Sequence, residues 1–196
     1  MKVLAINGSP RKNGNTQLLI DAASEVLEDA GIEVGSVRVT DFDIRPCTAC
    51  DRCSKNPWDC PIKDDAVDVL RMMSAADGML IGSPVYCGGV TAQLKALLDR
   101  SIIPYQRAEF KDKVGGALVV GGARNGGQEL ALTQINTYFL MMDMVVASAE
   151  NGFYGAMATG NDKGDVADDE EGMDKARGLG RRVAHLLKRQ AVPRAP

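Results

Sequence analysis

Four of the chain's five cysteines fall within the fourteen residues CTACDRCSKNPWDC, at Cys47, Cys50, Cys53 and Cys60. The spacing is C-x-x-C-x-x-C-x(6)-C, with Pro61 directly after the last. Sulfur gathered this tightly in one loop either ligates metal or exchanges electrons as redox-active thiols. A disulfide staple would suit a secreted domain. The opening MKVLAINGSP, however, turns polar too soon for a secretory signal. Nor does the apolar run YFLMMDMVVASA, broken by Asp143, reach membrane-spanning length. We therefore expect a soluble cytoplasmic protein. Zinc accepts four thiolates too, but usually from two separated C-x-x-C knuckles. Zinc, a cluster and free thiols all stay open on spacing alone.

A second constellation sits near the start. NGSPRKNGNT, residues 7–16, follows an apolar strand and opens a helical segment. In a parallel sheet that junction turns backbone N–H groups and the positive end of a helix toward an anion. Five residues separate Gly8 from Gly14 and Asn15 follows, so neither the Walker pattern nor G-x-G-x-x-G is present. What remains is a cradle of hydroxyls, amides and one cation, namely Ser9, Arg11, Asn13, Asn15 and Thr16, suited to a single phosphate. The competing reading is a ligand-free turn rich in helix-capping residues. No Ser-His-Asp set or carboxylate pair suggests acid–base catalysis, so no catalytic side chain is assigned. The sole histidine, His185, lies among arginines and reads as surface or interface.

The elements that must position these residues alternate. Short apolar runs at 2–7, 33–39, 78–83, 116–121 and 144–149 are separated by segments of helical period at about 15–30, from 64 onward, 90–101 and 127–141, with a closing helix at about 173–189. This pattern predicts an α/β fold: a doubly wound, five-stranded parallel sheet of order 2-1-3-4-5. With 196 residues, 45% of them hydrophobic, the chain can bury one good core and is short for two, so residues 1–196 read as one domain. A net charge of −3 without a long basic block argues against nucleic acid as partner. The segment GFYGAMATGNDKGDVADDEE, 152–171, mixes glycine with acids and reads as a mobile surface loop.

The motif G-S-P-R-x-x-G-N-T after a first strand resembles the NADPH-dependent FMN reductase group of flavodoxin-like proteins. SPVYCGGVTAQLKALLDR (83–100) is similar to that group's flavin-ring loop and following helix, and GGARNGGQE (121–129) to the loop closing over the ring's other side. The resemblance runs to about residue 155. It implies a flavodoxin-like domain in which Ser9, Arg11, Asn13, Asn15 and Thr16 hold the FMN phosphate. Pro84, Val85, Tyr86, Cys87, Gly88, Gly121, Gly122, Gly127 and Gln128 would hold the ring. Tyr86 offers a stacking face, the glycines allow close backbone approach, and Cys87 reads as a small space-filling residue. Asp99 and Arg100 match the group's helix-ending pair and are expected to fasten helix to loops.

The cysteine run resembles the iron-sulfur flavoprotein subgroup, which joins such a motif to the same fold. That likeness implies a [4Fe-4S] cluster on Cys47, Cys50, Cys53 and Cys60, with Trp58 either shielding it or simply packing. The implied activity is flavin-dependent oxidoreduction. Electrons would come from ferredoxin or NAD(P)H and leave to a small molecule or protein. The implied assembly is a homodimer or homotetramer. Rival readings are a cluster-free NAD(P)H-dependent FMN or quinone reductase and a non-enzymatic flavin- or zinc-binding regulatory module.

Overall fold

Strand β1 (Lys2–Asn7) is buried along nearly its whole length because it is flanked by two parallel partners. These are β2 (Glu33–Arg38), with Val3 opposite Val34, and β3 (Gly78–Pro84), with Val3 opposite Gly78. Beyond β3 lies β4 (Val114–Gly121), then β5 (Val145–Ala147), giving the parallel order β2-β1-β3-β4-β5. This computed structural model describes residues 1–150 and 153–191.

Helices cover both faces of the sheet. Helix α1 (Asn15–Asp29) packs with β1, β3 and β4 on one side. On the other face lie α3 (Ala66–Ala75), α4 (Ala92–Arg100) and α6 (Gln128–Met141), with one-turn helices α2 (Arg52–Lys55) and α5 (Ile102–Tyr105) at the cysteine loop and after α4. Two buried faces explain why β4 reads as an unbroken apolar run, VGGALVVG, rather than an alternating one. Gly115 in that run is where the Phe139 ring of α6 lies down on the sheet, since a Cβ there would stand 2.7 Å from the ring.

The closing helix α7 (Glu170–Ala191) joins α1 on its face and buries Ala176, Leu179, Val183 and Leu187 at helical spacing. Its Gly180 allows close contact, because a Cβ would come within 2.5 Å of the Ala23 carbonyl. Met73, Met142 and Met144 are core residues, whereas Met72 and Met141 are exposed.

The expectation for 152–171 is corrected for its described part; Gly152 lies outside the described residues. Ala156–Thr159 forms a sixth strand, β6, paired parallel with β4 at Leu118–Gly121. Strand β5 pairs with β4 only at Val114–Gly116, so β6 takes up the edge where β5 leaves off. Ala156 and Ala158 are buried, and Gly160 returns a backbone N–H to Gly121 O at 2.9 Å. Small side chains and flanking glycines masked a strand only four residues long.

Among the described residues no helix is long and apolar enough to cross a membrane.

Candidate functional site

Asn7 ends β1 and shapes the loop that follows. Its side-chain oxygen accepts from Ser9 N at 2.8 Å, and Ser9 Oγ accepts from Arg11 N at 3.2 Å. The loop then enters α1 through Gly14, with no side-chain cap and no acid in the first turn. The residues that could have capped the helix do not, so its positive end is left to whatever occupies the loop.

Ser9, Arg11, Asn15 and Thr16 line one cleft with Pro84, Val85 and Tyr86. Asn13 does not line it; it stands exposed with φ 51°, at the left-handed corner of the turn. Asn15 lines the cleft but spends its amide elsewhere. Its Nδ2 donates to Asp162 O (2.8 Å) and its Oδ1 accepts from Gly164 N (2.8 Å). That clamp, with Arg11 Nη1 donating to Asn161 O at 2.9 Å, brings Gly160, Asn161 and Lys163 to the cleft. The sequence did not single out these three, because they follow the strand it left unassigned.

Two further loops meet at the same end of the sheet. Val85 N donates to Val120 O at 2.8 Å, and Tyr86 and Gly89 exchange backbone hydrogen bonds of 2.9 and 3.0 Å. Between them Cys87 (φ 50°) and Gly88 (φ 80°) both lie in the left-handed region, the pattern of a type I′ turn. Cys87 is exposed on this turn and outside the cleft lining, so it fills no interior space. Gly127, at φ 96°, packs against this turn, and a Cβ there would meet Gly88 Cα at 3.3 Å. Gly122 lines the cleft beside Asn161. Gly121 and Gln128 stand behind it: Gln128 is buried, its Nε2 donates to Ala123 O at 2.8 Å, and its Oε1 is buried without a partner.

The cysteine loop folds over the α3/α4 face. Cys47, Cys50, Cys53 and Cys60 line one cavity of about 460 Å³, closed by Arg100, Ile102 and Ile103. Cys53 and Cys60 are half-buried against the core, while Cys47 and Cys50 are exposed. Burial pushes the Cys53 thiol pKa up; its own backbone amide opposes this, and the three neighbouring cysteines add to it.

Arg100 is buried and forms a two-pronged ion pair with buried Asp64, at 2.7 and 3.1 Å. It also donates to Arg45 O (2.9 Å) and to Cys60 Sγ (3.2 Å). Burial alone would raise the Asp64 pKa, but the Arg100 hydrogen bonds, with the amides of Arg45 and Ala66, hold it below the ordinary carboxylate value. Arg100 therefore fastens the helix to the loop, as expected. Asp99 instead pairs with Lys95 on the exposed face of α4. Trp58 is packed in place: its Nε1 donates to Glu109 at 3.0 Å and Arg71 lies over its ring.

Residues 1–156 match the NADPH-dependent FMN reductase family. The chain belongs to that family. An iron-sulfur flavoprotein from Methanocaldococcus jannaschii is 43% identical over 96% of this chain and 98% of its own. Another, from Methanosarcina thermophila, is 42% identical over 79% and 81%. The crystal structure of a flavodoxin, WrbA-like protein from Agrobacterium tumefaciens superposes with a TM-score of 0.64 at 20% identity, covering 96% of this chain and 97% of that one. The fold is thus flavodoxin-like, and this FMN reductase family member is a flavin-dependent oxidoreductase.

Within this family member the cleft and the cysteine cavity are joined by α4. Thr91 caps the helix, accepting from Leu94 N at 3.2 Å while its hydroxyl donates to Gly8 O at 2.7 Å. Arg100 ends it at the sulfurs, so about 13 Å of helix, at 1.5 Å per residue, separates the two ends. A larger groove of about 1120 Å³ lies at the opposite end of the sheet, between Asp77, Lys113 and α7, and contains His185.

Proposed function

We propose that this chain binds FMN at the β1–α1 loop and carries a [4Fe-4S] cluster on Cys47, Cys50, Cys53 and Cys60, transferring electrons between them and an external partner. The observation that carries the cluster is the convergence of all four cysteines on one cavity against a buried guanidinium. A single tetrahedral zinc, with Zn–S bonds of about 2.3 Å, would draw its sulfurs to within about 3.8 Å of one another. The four sulfurs line a cavity of about 460 Å³, which supports a larger group, and Arg100 Nε–H, buried without a partner among the described residues, is a donor that an anionic cluster would satisfy.

For FMN, the supporting features are the uncapped helix end and the cation Arg11, together with Lys163. The enclosed cleft of about 120 Å³ falls below the ~300–1,000 Å³ of pockets that surround a whole ligand. It therefore fits the phosphate end, and residues of the 85–89 turn and the 121–127 loop would hold the ring. When bound, the flavin supplies one- and two-electron chemistry and the cluster one-electron transfer. The residues' own work is to hold and orient: Ser9, Thr16 and Arg11 grip the phosphate, Tyr86 offers an aromatic face, and the glycine loops allow backbone N–H groups close to the ring. NAD(P)H or ferredoxin as donor, and a homodimer or homotetramer as the assembly, extend this reading. Exposed Leu130, Leu140 and Met141 on α6 support self-association.

A second reading, a cluster-free reductase, is favoured by the exposure of Cys47 and Cys50. Anaerobic purification tests the two. Iron and acid-labile sulfide at about four each per chain, with a brown absorbance that bleaches on reduction, supports the cluster. Flavin without iron supports the rival.

A Ser9→Ala/Arg11→Ala variant should fold normally and lose FMN affinity. Hydrogen bonds to charged groups contribute about 1.5–3 kcal/mol each, so dissociation constants should rise roughly a hundredfold or more. Fluorescence titration of the apoprotein measures this, and unchanged affinity would remove the phosphate assignment.

A further inference from the structure

The guanidinium of Arg100 is held from three directions. Nη1 donates to Arg45 O and Asp64 Oδ2, and Nη2 to Asp64 Oδ1 and Cys60 Sγ. Asp64 is itself fixed, accepting from Arg45 N at 2.9 Å and Ala66 N at 3.2 Å. The pair has 1% and 0% side-chain exposure. The result is a cation that cannot swing away, aimed at one of the four sulfurs and shielded from solvent.

We infer that Arg100 is a positioning residue that raises the reduction potential of the redox group bound through Cys60, and that Asp64 sets how much of its charge is felt there. The inference rests on the cluster reading above. Hydrogen bonds to ligand sulfurs, net charge and solvent exposure set the potentials of iron-sulfur centres. Reduction adds one electron, and the more negative form gains more from a fixed cation and an N–H donor at the sulfur. Because the Arg100 and Asp64 side chains are themselves buried, water screens the guanidinium little on its own side of the cavity. Asp64 shares Nη2 with Cys60 but contacts the sulfur only through the guanidinium, so it anchors the donor and cancels part of its field.

The geometry requires opposite signs for the two partners. In Asp64→Asn the cation remains with its counter-charge removed, so the potential should rise. In Asp64→Asn/Arg100→Gln both charges are gone, and the nearer one dominates, so the potential should fall below that of the unsubstituted protein. Arg100→Lys keeps the charge without the fork and should lie between. A tenfold change in the one-electron equilibrium, 59 mV, is the expected scale.

The test is an anaerobic titration of the purified holoprotein. Dithionite is oxidised as it delivers one electron to each cluster, and absorbance and paramagnetic resonance follow the centre. Iron, sulfide and far-ultraviolet circular dichroism are measured on the same samples, and the bound flavin serves as a distant internal reference. Opposite shifts in loaded, folded variants support the inference. Loaded variants that keep the original potential overturn it and leave the cluster reading intact, assigning Arg100 a merely structural role. Should the double variant lose its iron, Asp64→Asn decides alone, and an unmoved or lowered potential overturns the inference. Unsubstituted protein without iron or sulfide overturns both, and so separates the two failures.

Discussion

Arg100→Met is expected to lower folding stability by about 3–5 kcal/mol at pH 7, the cost of leaving a buried charge without its partner. The carboxylate left behind is that of Asp64, whose side chain is fully buried and whose oxygens are otherwise met, among the described residues, only by the amides of Arg45 and Ala66. The same substitution frees Arg45 O and Cys60 Sγ, so loss of order should begin in the 45–64 segment.

The pH dependence has a definite sign. Asp64 is held below the ordinary carboxylate pKa in the folded protein, so its contribution is present above the unfolded value of about 3.9 and disappears as pH falls through the folded value. In Arg100→Met the burial that opposes ionisation is no longer countered by the guanidinium, and Asp64 takes up a proton at higher pH than before. The stability gap between the two proteins should therefore be widest near neutrality and shrink as pH falls from the variant's Asp64 pKa to the lower one of the unsubstituted protein. Urea denaturation at a series of pH values measures it. Adding Asp64→Asn to Arg100→Met should recover part of the loss, since no unpaired charge then remains. A gap that widens in acid would contradict the ion-pair account.

Cys53→Ser/Cys60→Ser is expected to reduce iron from about four per chain to near zero while leaving the yellow flavin in place. These two cysteines are the half-buried members of the set and pack against the core, so they anchor the cavity, whereas Cys47 and Cys50 sit at its exposed side. A cluster held by Cys47 and Cys50 alone would have two ligands on a solvent-facing loop. The flavin should persist because the cleft shares no lining residue with the cavity and lies at the other end of α4. Iron analysis and the visible spectrum of anaerobically prepared protein give the answer. Full iron retention would exclude these thiols as ligands, and loss of flavin together with iron would show that the two sites are not independent.

Much of this arrangement was legible in the sequence because it rests on local chemistry. A Gly-rich turn between an apolar run and a helical period dictates a loop at a helix N-terminus, and strands buried on both faces must read as continuous apolar segments, as GALVVG does. Four closely spaced cysteines announce sulfur chemistry whatever the surrounding fold. The helical period over 90–101 became α4, which buries Leu94, Leu97 and Leu98.

Other features depend on contacts between residues far apart in the chain, for which sequence carries no local sign. Strand β6 is short and alanine-rich and is stabilised by pairing with β4, so its propensity gave little warning, and with it Gly160, Asn161 and Lys163 were missed. Asn15 looked like a phosphate ligand, yet its amide is committed to residues 162 and 164, nearly 150 positions away. The resemblance marked Arg100 as fastening helix to loop, but nothing marked Asp64, 36 positions away, as its partner. Local residue types determined which chemistry is possible at each loop. Only burial and long-range hydrogen bonding decided which side chains are free to perform it, because those depend on where the sheet brings distant segments together.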